Sequence, residues 1–261
     1  MFKKIVDVNK TMIANGRKDA ALNPNEEALL QSLRESLDSS KPVPTGALDL
    51  VVRIITQWSY SERLPGLDLL RCLSKHHSVA QYSDPQIGSI IDLAIGASLP
   101  SNGGESPSEN AVMMGARTIA NLFLTADGRS AINSQTDKIL SFLERISGSS
   151  PGQQPIGKFH RNLLIATTTV QVNLAVLINR EKLLTPSQRR RLVSVIGRTL
   201  DEQTDSEVLY RGLVALGTTL TSTGDEAKGL GVRSWVQGAL GRSSEDRVKG
   251  VAAECVKVAS D

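Results

Sequence analysis

The chain has 261 residues, of which 40% are hydrophobic and 22% are charged, and its formal net charge is +3 at pH 7. This composition excludes a disordered chain, because the apolar side chains are numerous enough to form a substantial core. The small net charge gives no general argument for binding to nucleic acid. Cys72 and Cys255 are the only cysteines, which suits neither a disulfide framework nor a zinc site, so we expect a cytoplasmic and nuclear protein without a metal. No apolar run approaches the roughly 20 residues that cross a bilayer, which predicts a soluble protein.

A recurring local pattern predicts where several helices begin. A residue that can cap a helix is followed by proline and, two residues later, by Glu or Gln. The cap accepts hydrogen bonds from free amides, while proline occupies a position where no amide hydrogen is needed. The pattern occurs at Asn23-Pro24-Asn25-Glu26, Ser106-Pro107-Ser108-Glu109 and Thr185-Pro186-Ser187-Gln188, and in part at Asp84-Pro85.

The apolar residues that follow are spaced as on the buried face of a helix. They are Leu29, Leu30, Leu33 and Leu37, then Ile87, Ile90, Ile91 and Ala94, and then Ile139, Leu143 and Ile146. Segments rich in Ser, Gly or Pro interrupt these runs at residues 39–45, 98–107, 147–157 and 222–231. None resembles a domain linker, so we predict an all-α fold in which residues 1–261 form one helical array.

A repeat along the chain indicates how the helices are arranged. Four apolar helices carry a residue at a matching point, and a second short or polar residue four positions later. The first positions are Arg71, Arg117, Thr169 and Arg211, and the second are Lys75, Asn121, Asn173 and Ala215. The first positions are 46, 52 and 42 residues apart, around the roughly 40 to 47 residues of armadillo or HEAT units, with loop insertions in the longest interval. We therefore favour a repeat array in which these positions form a ladder, and a non-repetitive helical bundle is the alternative.

The side chains of this ladder suit a peptide ligand. Asn121 and Asn173 can donate to and accept from the main chain of an extended segment. Four cations accompany them, namely Arg71, Lys75, Arg117 and Arg211. Charge-assisted hydrogen bonds from arginine favour an acidic peptide or a terminal carboxylate. The alternative for any single arginine is an ion pair within its own helix or a bond to a neighbouring loop carbonyl.

Several stretches together resemble a known domain. They are Leu64-Pro65-Gly66-Leu67-Asp68-Leu69-Leu70-Arg71, Lys75-His76-His77-Ser78-Val79, Tyr210-Arg211-Gly212-Leu213-Val214-Ala215-Leu216-Gly217-Thr218, and, more briefly, Asn9-Lys10, Asn25-Glu26-Glu27, Ala116-Arg117-Thr118, Asn121-Leu122-Phe123 and Lys228-Gly229-Leu230-Gly231-Val232. They look like the PUL domain that closes the phospholipase-activating-protein family of ubiquitin adaptors. The resemblance covers essentially the full chain.

This resemblance implies an armadillo-like right-handed superhelix of about six helical repeats, forming the C-terminal part of a longer adaptor. It also implies a basic concave groove for the C-terminal tail of the hexameric AAA+ segregase, valosin-containing protein, which links the domain to ubiquitin-dependent protein degradation and ubiquitin homeostasis. The family's groove arginines carry over to Arg71 and Arg211, and Lys75, Arg117, Asn121 and Asn173 follow from the ladder. We expect no catalysis and no cofactor, and contact with ubiquitin only through domains absent from this chain.

Other readings of the sequence are weaker. The same domain could be the scaffold of a thioredoxin-like or isopeptidase fusion protein. Residues 152–158 match the letters of a phosphate-binding loop, but Phe159 follows where Ser or Thr must hold magnesium. Cys72 could be a nucleophile, although a small core residue is the simpler interpretation. Arg189-Arg190-Arg191 could touch RNA, but basic residues near the start of a helix usually form its solvated face.

Overall fold

The computed structural model describes residues 1–39, 41–100, 105–149, 154–158, 160–181, 184–201, 203–223 and 225–259. The chain divides into two compact units, Met1–Ala131 and Ile132–Asp261. Within the described residues there are fourteen α-helices, one short 3-10 helix and two strands of two residues each. The all-α repeat fold predicted from helix caps and apolar spacing is therefore confirmed.

Unit 1 is built from short helices that follow one another closely. Its elements are α1 (Phe2–Ala14), α2 (Pro24–Ser39), α3 (Ala47–Gln57), α4 (Leu64–Leu73), α5 (His77–Ala80), β1 (Ser83–Asp84), β2 (Gly88–Ser89), α6 (Ile90–Ser98), α7 (Glu109–Leu122) and the first residues of α8 (Ala126–Ser134). The strands β1 and β2 pair in antiparallel fashion. Helix α4 packs against α3 on one side and α7 on another.

Unit 2 contains the longest helix of the chain. Its elements are the end of α8, then α9 (Thr136–Ser147), α10 (Arg161–Glu181), α11 (Pro186–Leu200), α12 (Ser206–Leu220), the 3-10 helix (Asp225–Ala227), α13 (Val232–Arg242) and α14 (Asp246–Val258). Helix α12 packs against α10, α11 and α14, so three helix faces converge on it.

Two of the predicted caps form as the sequence indicates. The Asn23 side-chain oxygen accepts from the Glu26 amide at 3.0 Å, and the Asn23 amide donates to the Glu26 carboxylate at 2.9 Å. Thr185 and Gln188 make the same reciprocal pair at the start of α11. Both are capping boxes, which use the amides that the first turn of a helix leaves without partners.

The predicted cap at Ser106 is wrong by two residues, because α7 begins at Glu109 with Ser108 at the N-cap and no side-chain cap bond. The Ser108 amide instead donates to the hydroxyl of Tyr60 at 2.8 Å, and that hydroxyl donates to the Ser98 carbonyl oxygen at 2.9 Å. A residue 48 positions earlier in the chain thus fixes the main chain where α7 begins.

Asp84 caps a turn and not a helix. Its side-chain oxygen accepts from the amide of Ile87 at 2.9 Å within the turn between β1 and β2. Ile87 was predicted on a helical face and lies in this turn instead. Helix α6 begins at Ile90, where Ser89 and Asp92 form a capping box.

A buried asparagine joins α1 to the segment that leads into α2. Asn9 is fully buried, and its side-chain oxygen accepts from the Leu22 amide at 2.6 Å. Its Nδ2 donates to the Glu27 carboxylate at 2.7 Å and to the Leu22 carbonyl oxygen at 3.4 Å. A buried amide needs such partners, so Asn9 serves the fold of unit 1 and is not available to a ligand.

The close packing of α3 against α4 depends on Gly66. A Cβ placed there would lie 2.7 Å from Cγ2 of Ile54. Around this contact Ile55, Leu67 and Leu70 are fully buried. The C-terminal end of α4, with Arg71, lies against α7.

Helix α10 is the core helix of unit 2. Among the described residues it alone has the length and hydropathy that a bilayer span would need, so the prediction that no apolar run approaches this length is wrong. Most of that apolar stretch is buried inside the unit, where Val170, Leu174 and Ala175 are fully enclosed. Its packing against α11 and α12 accounts for its apolar character.

Of the three arginines near the start of α11, Arg190 is exposed, while Arg189 and Arg191 are partly buried. Arg191 binds the Glu144 carboxylate at 2.7 Å, which ties α11 to α9. Arg189 pairs with the Glu226 carboxylate, and Arg190 donates to the Glu226 carbonyl oxygen at 2.8 Å. The interpretation of these residues as a solvated face therefore holds for Arg190 alone. All three guanidinium groups nevertheless hold other parts of unit 2.

Candidate functional site

Five of the six predicted ligand-binding residues lie on helices, and one does not. Arg71 is in the last turn of α4, Arg117 and Asn121 are on α7, Asn173 is on α10 and Arg211 is on α12. Lys75 was predicted on the same helix as Arg71, but α4 ends at Leu73 and Lys75 lies in the following turn.

In unit 1 the structure brings Arg71 and Asn121 together, through the main chain. The Asn121 Nδ2 donates to the carbonyl oxygen of Arg71 at 2.7 Å, and the Ser74 hydroxyl donates to the same oxygen at 2.8 Å. A carbonyl in the last turn of a helix has no partner inside the helix, so these donors complete it. Asn121 therefore offers a ligand its side-chain oxygen, while its amide is used by the fold.

The guanidinium of Arg71 is held by its own helix. Its Nε lies 2.8 Å and its Nη2 2.7 Å from the same oxygen of Asp68, and Nη2 is also 3.4 Å from the sulfur of Cys72. This is the intrahelical ion pair that the sequence left open as an alternative. The pair orients Arg71 and neutralises much of its charge.

Lys75 and Arg117 are the two predicted ligand-binding cations of unit 1 whose charge has no such compensation among the described residues. Lys75 is exposed and Arg117 is partly exposed. In the described part of the chain neither makes an ion pair or a side-chain hydrogen bond. Arg117 lies one helical turn before Asn121, hence on the same side of α7. We call Arg71, Lys75, Arg117 and Asn121 the basic surface of unit 1.

In unit 2 Arg211 connects α12 to α10. Its Nε donates to Glu207 at 2.6 Å, one turn earlier in α12, and its Nη1 donates to the Thr169 hydroxyl at 2.8 Å. Asn173 lies one turn after Thr169 on α10 and has no side-chain hydrogen bond within the described residues. The ladder position after Arg211 is not on the surface, because Ala215 is fully buried.

Sequence reasoning missed a second cation on this surface of unit 2. Arg247, in the first turn of α14, donates from Nη1 to Glu207 at 2.7 Å and lies over the ring of Tyr210 at 5.0 Å. It follows Arg211 by 36 residues, slightly less than the roughly 40-residue repeat. That interval was the available signal. We call Asn173, Arg211 and Arg247 the basic surface of unit 2.

Glu207 and Cys72, which contact these surfaces, have shifted pKa values. Hydrogen bonds from Arg211 and then Arg247 lower the pKa of Glu207, which keeps it a carboxylate. Burial raises the pKa of the Cys72 thiol, although Arg71 and Lys75 act in the opposite direction. A thiol with a raised pKa is protonated and is a poor nucleophile. The reading of Cys72 as a small, half-buried packing residue fits this environment better.

Other candidate sites gain little from the structure. No group of three His, Cys, Asp or Glu side chains that could hold a metal occurs among the residues described. The segment resembling a phosphate-binding loop lies partly outside the described residues, since residues 152, 153 and 159 are not among them.

Each unit is built from packed helices and presents polar and cationic side chains on its surface, which is typical of a helical-repeat binding domain. The chain belongs to the PUL domain family, whose sequence model matches residues 1–254. It is also 28% identical over 205 residues to the ubiquitin homeostasis protein lub1 of Schizosaccharomyces pombe. This match covers 76% of the chain but 26% of that relative, so the chain spans about a quarter of the relative's length.

Proposed function

We propose that this chain is a non-catalytic adaptor domain of the ubiquitin system that binds the acidic C-terminal tail of the AAA+ segregase, valosin-containing protein. Membership of the PUL family and similarity to a ubiquitin homeostasis protein support the adaptor role. The basic surfaces support an acidic peptide as the ligand. The unpaired thiols of Cys72 and Cys255 are consistent with a protein of the cytoplasm and nucleus, which we also propose.

The observation that carries the proposal is the uncompensated charge of Lys75 and Arg117. Most arginines of the chain have a carboxylate or carbonyl partner, as Arg71 does in Asp68. A cation that is partly exposed and has no partner can bind a peptide carboxylate without breaking a contact of the fold. One helical turn after Arg117 on α7, the Asn121 oxygen can accept from a peptide amide.

The test is calorimetric titration of a synthetic peptide with the segregase's C-terminal sequence into the full chain. Replacement of Arg117 by alanine removes a charge-assisted contact and should weaken binding by about 10- to 150-fold. Arg71→Ala should also weaken binding, but less, because the peptide has to compete with Asp68 for that guanidinium. Circular dichroism should show that both variants keep their helical content.

Arg34→Ala is the matched control in unit 1. Arg34 lies on α2, its side chain is 56% exposed, and its nearest carboxylate oxygen is 3.8 Å away on Asp38. The substitution removes the same charge from a surface outside the proposed site, so the affinity for the peptide should remain within about twofold of wild type. A wild-type chain that gives no heat with the peptide would overturn the proposal. Equal losses in Arg34→Ala and Arg117→Ala would show a general charge effect and remove the basis for this site.

A further inference from the structure

Glu207 lies between two arginines that come from different helices. One carboxylate oxygen accepts from Nε of Arg211 at 2.6 Å, and the other accepts from Nη1 of Arg247 at 2.7 Å. Arg211 is on α12 with Glu207, whereas Arg247 is 40 residues away on α14. Two guanidinium groups that converge on the two oxygens of one carboxylate form a carboxylate-binding site.

The two arginines do not depend on Glu207 for their positions. Arg211 is also held by the Thr169 hydroxyl at 2.8 Å. Arg247 is also held by the Glu245 carboxylate at 2.6 Å and by the ring of Tyr210, 5.0 Å from the guanidinium carbon. If Glu207 turned away, both guanidinium groups would keep these other contacts. The site would therefore stay formed.

The three side chains that form this site are partly exposed to solvent. The exposed fractions are 36% for the Arg211 side chain, 46% for Arg247 and 24% for Glu207. Glu207 is in the first turn of α12 and reaches the arginines through flexible single bonds. Ion pairs this exposed contribute little net free energy, so a ligand carboxylate can exchange with Glu207 at small cost.

We propose that Glu207 is an internal occupant of this carboxylate site, and that an acidic side chain or terminal carboxylate of a peptide binds unit 2 by displacing it. The inference rests on the proposed function in so far as that peptide is the segregase tail. Glu207 then acts as a selectivity residue. A ligand with one weakly placed carboxylate does not displace it, whereas a ligand with several carboxylates competes with it at high local concentration.

The experiment measures anisotropy of a fluorescein-labelled tetraglutamate peptide titrated with the full chain at low salt, with tetraglutamine as the uncharged comparison. Glu207→Gln keeps the size of the side chain but removes the competing charge. We expect it to bind tetraglutamate about 3- to 10-fold more tightly than wild type, as two exposed ion pairs no longer oppose the ligand. Unchanged or weaker binding by this variant would overturn the proposal.

Two further variants separate displacement from a general charge effect. Glu254→Gln, on α14, makes the same change in net charge at a side chain that is 70% exposed and, among the residues described, pairs only with Lys257. It should stay within twofold of wild type, and a gain equal to that of Glu207→Gln would contradict the proposal. Adding Arg247→Gln to Glu207→Gln should abolish the gain, because the vacated site loses one of its arginines.

The outcome is independent of the identity of the natural partner. If tetraglutamate shows the expected gain while the segregase peptide does not bind, the proposed partner is wrong and the carboxylate site stands. If the segregase peptide binds the wild type but Glu207→Gln gives no gain with either peptide, the proposed function stands and the displacement does not.

If Glu207→Gln loses its helical circular dichroism, Glu207→Asp takes its place. The aspartate side chain is one methylene shorter and cannot reach both guanidinium groups, so a gain in affinity for tetraglutamate is again expected.

Discussion

Asn121 donates a 2.7 Å hydrogen bond from its side-chain amide to the main-chain carbonyl oxygen of Arg71. The two residues are 50 positions apart, and the bond joins α7 to the last turn of α4. It explains why the asparagines of the two units, which look equivalent in sequence, are not equivalent in structure. Asn121 holds helices together, whereas Asn173 makes no comparable bond in the described part of unit 2.

Asn121→Ala and Asn173→Ala should therefore have different effects. The first leaves the Arg71 carbonyl with one donor fewer and should lower the free energy of unfolding by about 1 kcal/mol. The second should leave stability unchanged and weaken peptide binding. Urea denaturation and calorimetric titration of both variants check this. Equal stability of the two variants would contradict the structural role of Asn121.

Asn9→Ala should be more damaging than either. It removes a side chain that satisfies both main-chain groups of Leu22 and contacts Glu27, all within a fully buried position. Buried groups left without partners cost about 1 to 3 kcal/mol in the free energy of unfolding. Asn25→Ala is the control, because that side chain is exposed and makes no hydrogen bond within the described residues. Its urea midpoint should equal that of wild type.

Gly197→Ala should destabilise unit 2. A Cβ at Gly197, on α11, would lie 2.3 Å from ring carbons of Trp235 on α13, so the indole must move. Overpacking of this kind costs about 1 to 3 kcal/mol. The intrinsic fluorescence of Trp235, recorded in a Trp58→Phe background, should shift at the same time.

Gly250→Ala, in the same unit, should have the opposite effect on stability. Gly250 is inside α14 with open space around its Cα, so alanine meets no neighbour there. The substitution should stabilise the chain by about 0.5 to 1 kcal/mol, because alanine loses less backbone freedom than glycine when a helix forms. Destabilisation by both substitutions would indicate that contact with Trp235 is not the cause at Gly197.

The ion pair between Arg17 and Glu62 should make stability depend on pH. The hydrogen bond from Arg17 is the main cause that lowers the pKa of Glu62 below its ordinary value of 4.5. A carboxyl group whose pKa is lower in the folded state stabilises that state above the unfolded pKa, and this contribution is lost as the pH falls through the folded pKa. Wild type should therefore be more stable than Glu62→Gln at pH 7, and the difference should disappear as the pH falls below 4.5.

Thermal midpoints of wild type and Glu62→Gln between pH 3 and 7 measure this difference. Glu35→Gln serves as the control, because Glu35 is exposed and its carboxylate contacts only Gln31 among the described residues. Its midpoint should follow that of wild type over the whole range. A gap for Glu62→Gln that is constant with pH would mean that the charge of Glu62 is not what stabilises the fold.

The sequence by itself determined much of the local structure. The caps at Asn23 and Thr185 formed as predicted because the residues of a capping box lie three positions apart and need no other part of the chain. The helical spacing of apolar residues likewise predicted the all-α class, since burial of one helix face depends only on period. The resemblance to the PUL family, carried by short motifs, agrees with the family to which the chain belongs.

Only the tertiary structure decided what each polar side chain contacts. Tyr60 binds the main chain at the start of α7, and Arg247 joined Glu207 from 40 residues away, because packing brings together side chains that local sequence patterns do not pair. The structure also showed that Lys75 is not on the same helix as Arg71, because α4 ends at Leu73. Sequence period places a residue on a face of a helix, but the neighbours across that face determine whether its charge is paired within the fold or exposed to a ligand.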